Sequence, residues 1–392
     1  MASTYPRWPN DTLPPFVHEL ARRLTAEYQV HVLAPHTAGA KTEEQLDGVT
    51  VYRFRYLPAR FETLAYAGGM LPGVRRRPWR LLALPLFIFA ELFAAVRLLR
   101  RYHYQVVHAH WLLPQGLVAV LARSLCGYQP RIVCTAHGAD VYGLNGSLAQ
   151  GLKRYALRQS DCITVVSRAM LETLINLFGS DARYRVLPMG VDTRERFTPG
   201  HTPPLPNNLL FVGRLEDKKG VHVLLQALAL LPIPADTILR IVGGGPEELR
   251  LRTLAQTLGI AARVEFVGPV PNRDLTPWYR RSSILVFPSV ITSYGDREGF
   301  GLVPVEALAC GCAVIASDLP AVRDVIRDGE TGLTVPSGDA HALAAGLARL
   351  MRDNTLCRKL ALGGREYVQE HFDWEYIAGE YSCLFRGLSA PK

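Results

Sequence analysis

Two clusters in the second half of the chain have the residue types and spacing to hold a charged ligand rich in hydroxyls. Phe211-Val212-Gly213-Arg214-Leu215 ends a strand-like run, and Lys218-Lys219-Gly220 opens the next helical pattern. In a βα unit this puts Gly213, Arg214 and Lys219 at the carboxyl edge of a sheet, where open α/β sheets bind ligands. A guanidinium fork and a lysine point charge beside a helix N-terminus suit a diphosphate, whose negative charge grows as it departs. The second cluster is Glu298-Gly299-Phe300-Gly301-Leu302-Val303-Pro304-Val305-Glu306, two carboxylates with seven residues between them. Pro304 suits a first helical turn, so Gly299 to Leu302 lie at the N-terminal mouth with free N–H groups. Glu306 on the helix and Glu298 on the loop then offer acceptors to a sugar with several hydroxyls. Taken singly, the first cluster also reads as a solvated loop, and Glu306 as a first-turn carboxylate favoured by the helix dipole.

Alternating strand-like and helix-like runs must position these groups. In the first half the short runs rich in β-branched residues are Val30 to Leu33, Val49 to Tyr52, Val106-Val107, Ile132 to Cys134 and Ile163 to Val166. Helical patterns at Phe16 to Leu24, Gly116 to Leu125 and Ser167 to Leu177 lie among them, which is the alternation of a doubly wound parallel sheet. The second half repeats the scheme, with strands at Leu209 to Val212, Ile238 to Val242, Val264 to Val267 and Ile284 to Phe287. Its helices fall at Val221 to Leu231, Pro246 to Leu258 and Pro304 to Ala309. Thr198 to Asn207, with four prolines and no periodicity, reads as an interdomain hinge. A doubly wound domain should open with a buried strand, yet only Met1 to Thr4 precede Tyr5-Pro6. Either that strand is unusually short or the start codon lies further upstream.

A chain of 392 residues predicts two or three domains. With 33 glycines and 27 prolines it stays below low-complexity composition, and seven spread cysteines match neither a disulfide framework nor a paired zinc motif. Free thiols and a reducing compartment are expected. Residues 1–200 carry 24 basic and 14 acidic residues, so the whole net charge of +9 lies in the first half. That half expects an anionic partner: nucleic acid, an anionic membrane or a phosphorylated substrate. The proline-rich start, with two acids in its first 22 residues, does not read as a cleavable signal, so the expected location is cytoplasmic. The most apolar stretch, Leu81 to Val96, is interrupted by Pro85 and Glu91 and reads as too short to cross a bilayer. Arg75, Arg76, Arg77 and Arg80 precede it, and Arg97, Arg100 and Arg101 follow it. The segment 75–101 therefore reads either as a helix lying on an anionic membrane surface, making the protein peripheral, or as a core helix with solvated ends.

Other patterns lead elsewhere. Gly243-Gly244-Gly245 lacks the later glycine and acidic residue of a dinucleotide fingerprint. His108 and His110 have no third ligand at metal spacing, so no metal site is expected. Cys310-Gly311-Cys312 reads as packing. The arginines of 75–101 enclose aliphatic rather than stacking residues, which argues against nucleic acid.

Together the motifs resemble glycosyltransferase family 4, retaining enzymes of α/β GT-B architecture with two Rossmann-like doubly wound domains facing a central cleft. The resemblance covers nearly the whole chain. It rests on Gly213-Arg214 with Lys219-Gly220, Val242 to Pro246, Gly268, Phe287-Pro288-Ser289, the Glu298 to Glu306 element, Thr331-Gly332-Leu333 and Ala136-His137-Gly138-Ala139-Asp140. It implies an acceptor-side domain at 1–200, a nucleotide-sugar domain at 201–371, and a C-terminal helix at 372–392 that crosses back to the first domain. By resemblance Arg214 and Lys219 hold the donor diphosphate, Glu306 the ribose, and Glu298 with Gly299, Phe300, Gly301 and Leu302 the donor sugar. His137 is brought to the reaction centre. The implied reaction moves a sugar, most often from a UDP-sugar, to a glycan or lipid-linked acceptor such as a cell-surface polysaccharide precursor, without a metal cofactor. The chain departs from relatives at Asp11 to Phe16, where a glycine pair is frequent, and at Leu319 to Asp324. The rival functions are a sugar-nucleotide epimerase of the same architecture and a basic nucleic-acid-binding protein.

Overall fold

The computed structural model describes all residues except 9–10, 12–14, 67–77, 145, 232–236, 294 and 390–392. Arg75, Arg76 and Arg77, and most of the departing segment after Asp11, thus lie outside the described residues. The chain divides into two compact units, Met1–Pro188 with Ile377–Lys392, and Met189–Tyr376.

In the first unit, β1 (His31–Pro35), β2 (Glu43–Leu46) and β3 (Val49–Phe54) form a sheet in the order β1-β3-β2. A second sheet joins β4 (Val106–His110), β5 (Arg131–Ala136), β6 (Cys162–Val165) and β7 (Tyr184–Val186) in that order, all parallel. The central strands of this sheet are almost wholly buried, as a parallel sheet covered on both faces requires. Helices Phe16–Leu24, Leu117–Cys126 and Arg168–Phe178 fall within a residue of the expected positions. β2 runs antiparallel to β3 and was not anticipated, because Glu43-Glu44-Gln45-Leu46 has no apolar alternation.

The apolar segment is longer than its composition suggested. After a 3-10 turn at Pro78–Ala83 an α-helix runs from Leu84 to Tyr102, so the arginines at 97, 100 and 101 are helical rather than flanking. Arg80–Tyr102 is long and apolar enough to cross a membrane by length and composition, which corrects the expectation that it is too short. Only one face is buried, through Phe87, Glu91, Ala95 and Leu99.

The second unit holds a six-stranded parallel sheet of β8 (Leu205–Val212), β9 (Ile238–Val242), β10 (Val264–Gly268), β11 (Ser282–Phe287), β12 (Ala313–Ser317) and β13 (Leu333–Val335). Their order is β10-β9-β8-β11-β12-β13, the doubly wound arrangement in which the first and fourth strands lie side by side. Val221–Leu230 and Ala340–Arg352 bury Leu224, Leu228, Leu343 and Leu347 against this sheet. The division between units falls at 188/189 rather than 200/201. Val191 exchanges backbone bonds with Phe372 and Trp374, and Arg280 donates to Thr198, which ties the stretch after Pro188 to the second unit. Part of the proline-rich segment is itself the start of β8.

The last helix, Trp374–Ser389, returns to the first unit from Ile377 onward. Tyr381 is fully buried there, its phenol 3.4 Å from the hydroxyls of both Thr135 and Thr164. Ser382 Oγ donates to Glu27 at 2.7 Å. All seven cysteines are free thiols, and only Cys383, on this helix, is exposed. Burial pushes the Cys310 thiol up to about 12 and raises those of Cys162 and Cys357. Tyr381→Ala is expected to destabilise the first unit by about 3–5 kcal/mol, the loss typical of a buried aromatic. Denaturant unfolding followed separately in the two units checks this, and an unchanged first-unit midpoint refutes it.

Candidate active site

β8 and β11 are neighbours at the point where the sheet order reverses, and the loops leaving their carboxyl ends bring the two sequence clusters together. Backbone contacts fix the loops. Val290 N–H donates to the carbonyl of Lys218 at 2.8 Å, and Gly220 has φ +64°. A Cβ at Gly220 would stand 1.9 Å from the carbonyl oxygen of Pro288, so only glycine permits this approach. The Lys219 ammonium then donates to Glu298 Oε2 at 2.6 Å, with both side chains about 15% exposed. Nζ of Lys219 also lies 5.4 Å over the Phe287 ring. Burial pushes the Glu298 carboxyl up, but Lys219, with Lys218 and the Gly299 N–H, outweighs it and holds the group below the usual range. Lys219 and Glu298 form a shielded, charge-matched pair.

Glu306 sits on the helix Leu302–Ala309, which Gly301 opens with φ +95°. Its Oε2 accepts from the Tyr279 hydroxyl at 2.6 Å and its Oε1 from Asn272 Nδ2 at 3.1 Å. Arg196 Nη2 in turn donates to Asn272 Oδ1 at 2.6 Å. Burial raises the Glu306 carboxyl, and these two hydrogen bonds and Arg196 only partly oppose the rise. Each carboxylate oxygen keeps a lone pair, so the anchored group remains an acceptor. Sequence reasoning missed Arg196, Asn272 and Tyr279, which lie on separate elements with no shared motif. Phe300 packs its ring against Phe372 at 5.4 Å, so its backbone rather than its side chain is available to a ligand. Gly213 N–H is bonded to Val242, and Arg214 pairs with Glu216 at 2.8 Å.

His137 belongs to the first unit. Its Nε2 lies 3.0 Å from His110 Nδ1, the two rings are stacked 5.2 Å apart, and Trp111 and Phe16 pack at 4.8 and 5.1 Å. His110 in turn lies 4.2 Å from His108, whose Nε2 is 2.6 Å from Thr135 Oγ1. Asp140 accepts from the N–H groups of Leu112, His137 and Gly138 and so fixes the backbone on which His137 stands. Burial lowers His137 to about 3 and holds His108 and His110 well below the ordinary histidine value, so all three are neutral imidazoles. Among the described residues no group of three or more His, Cys, Asp or Glu is placed to hold a metal ion.

The histidines carry an acid penalty of definite sign. Above the unfolded value near 6.5 they are neutral in both states, whereas below it the unfolded chain takes up protons that the folded chain refuses. Stability contributed in this way is lost as the pH falls through about 6.5. Burial lifts Glu91 to about 8 and acts in the opposite sense, so the measurement compares slopes. Between pH 7 and 5 the wild type is expected to lose more thermal stability than His110→Gln. Parallel profiles in the two proteins refute the assignment.

Comparison with known proteins bears on the family and the fold. Residues 193–367 match glycosyl transferases group 1, and residues 15–195 match glycosyltransferase family 4. The chain is 28% identical to an N-acetyl-alpha-D-glucosaminyl L-malate synthase of Bacillus anthracis, covering 73% of this chain and 75% of that protein. It is 30% identical to a GDP-mannose-dependent alpha-(1-6)-phosphatidylinositol monomannoside mannosyltransferase of Mycolicibacterium smegmatis, over 70% and 74%. Among solved structures, sucrose-phosphate synthase from Thermosynechococcus elongatus superposes with a TM-score of 0.79 at 27% identity, covering 95% of this chain and 92% of that one. The two Rossmann-like units are those of the GT-B architecture. Matched along both units and paired with relatives over most of its length, the chain belongs to glycosyltransferase family 4 and is a glycosyltransferase.

Proposed function

We propose that the protein moves a sugar, with retention of its anomeric configuration, from a nucleoside-diphosphate sugar to a lipid-linked or cell-surface polysaccharide precursor at the cytoplasmic membrane face. The observation that carries the donor reading is the Lys219–Glu298 contact of 2.6 Å, set between two strand-end loops beside the first turn of Leu302–Ala309. When a donor binds, Lys219 and Arg214 neutralise its diphosphate, and the N–H groups near Gly301 add the positive end of a helix. Glu306, held by Tyr279 and Asn272, accepts from the ribose hydroxyls, and Glu298 accepts from the sugar. His137 acts at the reacting sugar as a neutral imidazole that donates or accepts one hydrogen bond. The diphosphate leaves from the face the acceptor attacks, and its oxygen takes the acceptor proton, which gives retention. These groups supply the charge compensation without a metal. UDP-sugar is the first donor to test, and GDP-mannose, which the Mycolicibacterium relative uses by name, is the second.

Titration calorimetry with UDP and GDP, followed by turnover of the matching sugar nucleotides in the presence of a chelator, tests the donor site. Lys219→Ala or Arg214→Ala is expected to cost on the order of 3 kcal/mol in the barrier, about a hundredfold in rate. His137→Ala is expected to keep nucleotide binding and lose transfer. Near-normal turnover in the Lys219 variant removes the donor-site reading. Conversion of the donor to an epimer without an acceptor identifies an epimerase instead.

The acceptor reading rests on the helix Leu84–Tyr102 and the turn before it. Leu82, Leu86, Phe89 and Phe93 stand 80%, 51%, 70% and 66% exposed at helical spacing, and Arg97, Arg100 and Arg101 continue toward the helix end. Four large apolar side chains in water beside a basic cluster suit burial at the headgroup boundary of an anionic bilayer. Co-sedimentation with phosphatidylglycerol vesicles is expected at low salt. It should weaken at high salt and drop in Phe89→Ser/Phe93→Ser and in Arg97→Gln/Arg101→Gln. Wild-type protein that stays in the supernatant at low salt refutes membrane docking and favours a soluble acceptor.

A further inference from the structure

Glu306 ends a chain of polar contacts that starts at a half-buried arginine. Asp192 Oδ1 accepts from the Arg196 backbone N–H at 3.3 Å, and the Arg196 carbonyl accepts from Thr276 Oγ1 at 3.2 Å. Arg196 Nη2 donates to Asn272 Oδ1 at 2.6 Å, and Asn272 Nδ2 donates to Glu306 Oε1 at 3.1 Å. The same guanidinium lies 4.8 Å over the Phe197 ring, which meets Tyr279 edge-on at 6.0 Å, and the Tyr279 hydroxyl donates to Glu306 Oε2. The arrangement does not satisfy the arginine itself. Among the described residues its Nε is buried with no hydrogen-bond partner, which is unfavourable for stability. Departures of that kind gather at functional sites, and here the neighbour acted upon is Asn272.

Chemistry fixes which way the amide faces. A guanidinium only donates and an ionised carboxylate only accepts, so the amide between them turns its oxygen to Arg196 and its nitrogen to Glu306. The reverse orientation requires a protonated Glu306 whose O–H donates to Asn272 Oδ1. Arg196 closes that alternative by occupying the same oxygen. The alternative is a real competitor, because burial raises the Glu306 carboxyl and so favours its neutral form. With one donor from Asn272 and one from Tyr279, each oxygen of the ionised group keeps a lone pair for a hydroxyl. Two acceptors on one planar group match two hydroxyls on adjacent carbons, as in the cis-diol of a ribose. A protonated Glu306 beside a turned amide spends one oxygen on the amide and loses that match.

The geometry points to Arg196 as a positioning residue for nucleotide selection: by fixing the Asn272 amide it keeps both oxygens of Glu306 as acceptors and makes the site select a ribose over a 2′-deoxyribose. The inference rests on the donor reading above, in which Glu306 takes the ribose hydroxyls. Arg196 acts through Asn272 and through its charge, not by touching the nucleotide. A deoxynucleotide leaves one lone pair of a buried carboxylate unmet, and sites built to bond a hydroxyl reject analogues that lack it. The titratable or charged groups facing Glu306 are Tyr279 from the helix Thr276–Arg281, Arg196, and Cys310 at the end of its own helix. Burial puts Cys310 at about 12 and Tyr279 well above its ordinary value, and Arg280 and Arg365, which act on Cys310, stay protonated. Glu306 is therefore the member of this set that titrates near neutral pH.

The test is titration calorimetry of the full chain with UDP against 2′-deoxy-UDP and with GDP against 2′-deoxy-GDP, read as the ratio of dissociation constants for the base that binds. At about pH 7 the wild type should favour the ribonucleotide at least about tenfold, and Glu306→Gln should remove the preference. Arg196→Met should bring the ratio to about threefold or less, whereas Arg196→Lys, which restores a donor to Asn272, should stay within about threefold of the wild type. In Arg196→Met the preference should return as the pH is raised to about 9 and Glu306 ionises, a recovery that lost packing would not produce. Ionisation of the phosphates is common to both nucleotides and cancels in the ratio. Asn272→Asp, which keeps Arg196 paired but turns an oxygen to Glu306, should also lose the ratio, and it replaces Arg196→Met if that variant does not fold. A wild-type ratio in either variant, with Glu306→Gln losing it, overturns the inference and leaves the donor reading standing. Equal binding of ribonucleotide and deoxynucleotide by the wild type overturns it as well, and binding of neither removes the donor reading with it.

Discussion

A lysine and a glutamate that are each largely screened from water cannot be left without a partner, and the arrangement around the candidate site follows from that constraint. The Lys219–Glu298 contact satisfies both charges and holds two loops in a single relative position. Gly220 is required because the loop after β8 must pass against the carbonyl of Pro288 to bring Lys219 within reach. The bond from Val290 to Lys218 fixes the same approach from the other side. On the donor reading proposed above, a diphosphate would meet a cation already aimed and largely screened from water, so that little reorganisation stands between binding and charge stabilisation.

Glu306 illustrates a different solution to the same problem. Among the described residues no cation is ion-paired with it, and its burial is tolerated because a phenol and an amide each donate one hydrogen bond to it. The two carboxylates of one short motif are therefore electrostatically unlike: one is held ionised by an ammonium, the other is raised by burial and held in place by neutral donors. Such a division suits a ligand with a charged centre and neutral hydroxyls on either side.

Much of this was legible in the sequence because the signals are local. Helix Phe16–Leu24 and strand Ile238–Val242 were read to the residue, since β-branched runs and helical periodicity need no knowledge of distant partners. The Glu298 to Glu306 spacing likewise announced a loop followed by a helix. What escaped was set by tertiary contact. Tyr279 and Asn272 meet Glu306 across 27 and 34 residues, and no periodicity encodes that meeting. β2 is a strand because β3 offers it an edge, not because Glu-Glu-Gln-Leu favours one. The prolines after Thr198 suggested a hinge, but the carbonyl of Val191 accepts from Trp374 and places the break earlier. The arginines after Val96 looked like the end of an apolar helix, although arginine and leucine propagate a helix well and His103, at φ +51°, terminates it.

The distribution of thiols gives the molecule a built-in handle for optical work. Six of seven cysteines are buried or half-buried, and burial makes five of these poor thiolates at neutral pH. Cys383 alone is exposed, one turn from the Arg386 guanidinium that donates to its sulfur at 3.4 Å. A maleimide dye added to the native protein would therefore report from a single place on the last helix without any cysteine having to be removed. Paired with one engineered cysteine in the second unit, the same position would let distance changes be followed by energy transfer while nucleotides and sugars are added.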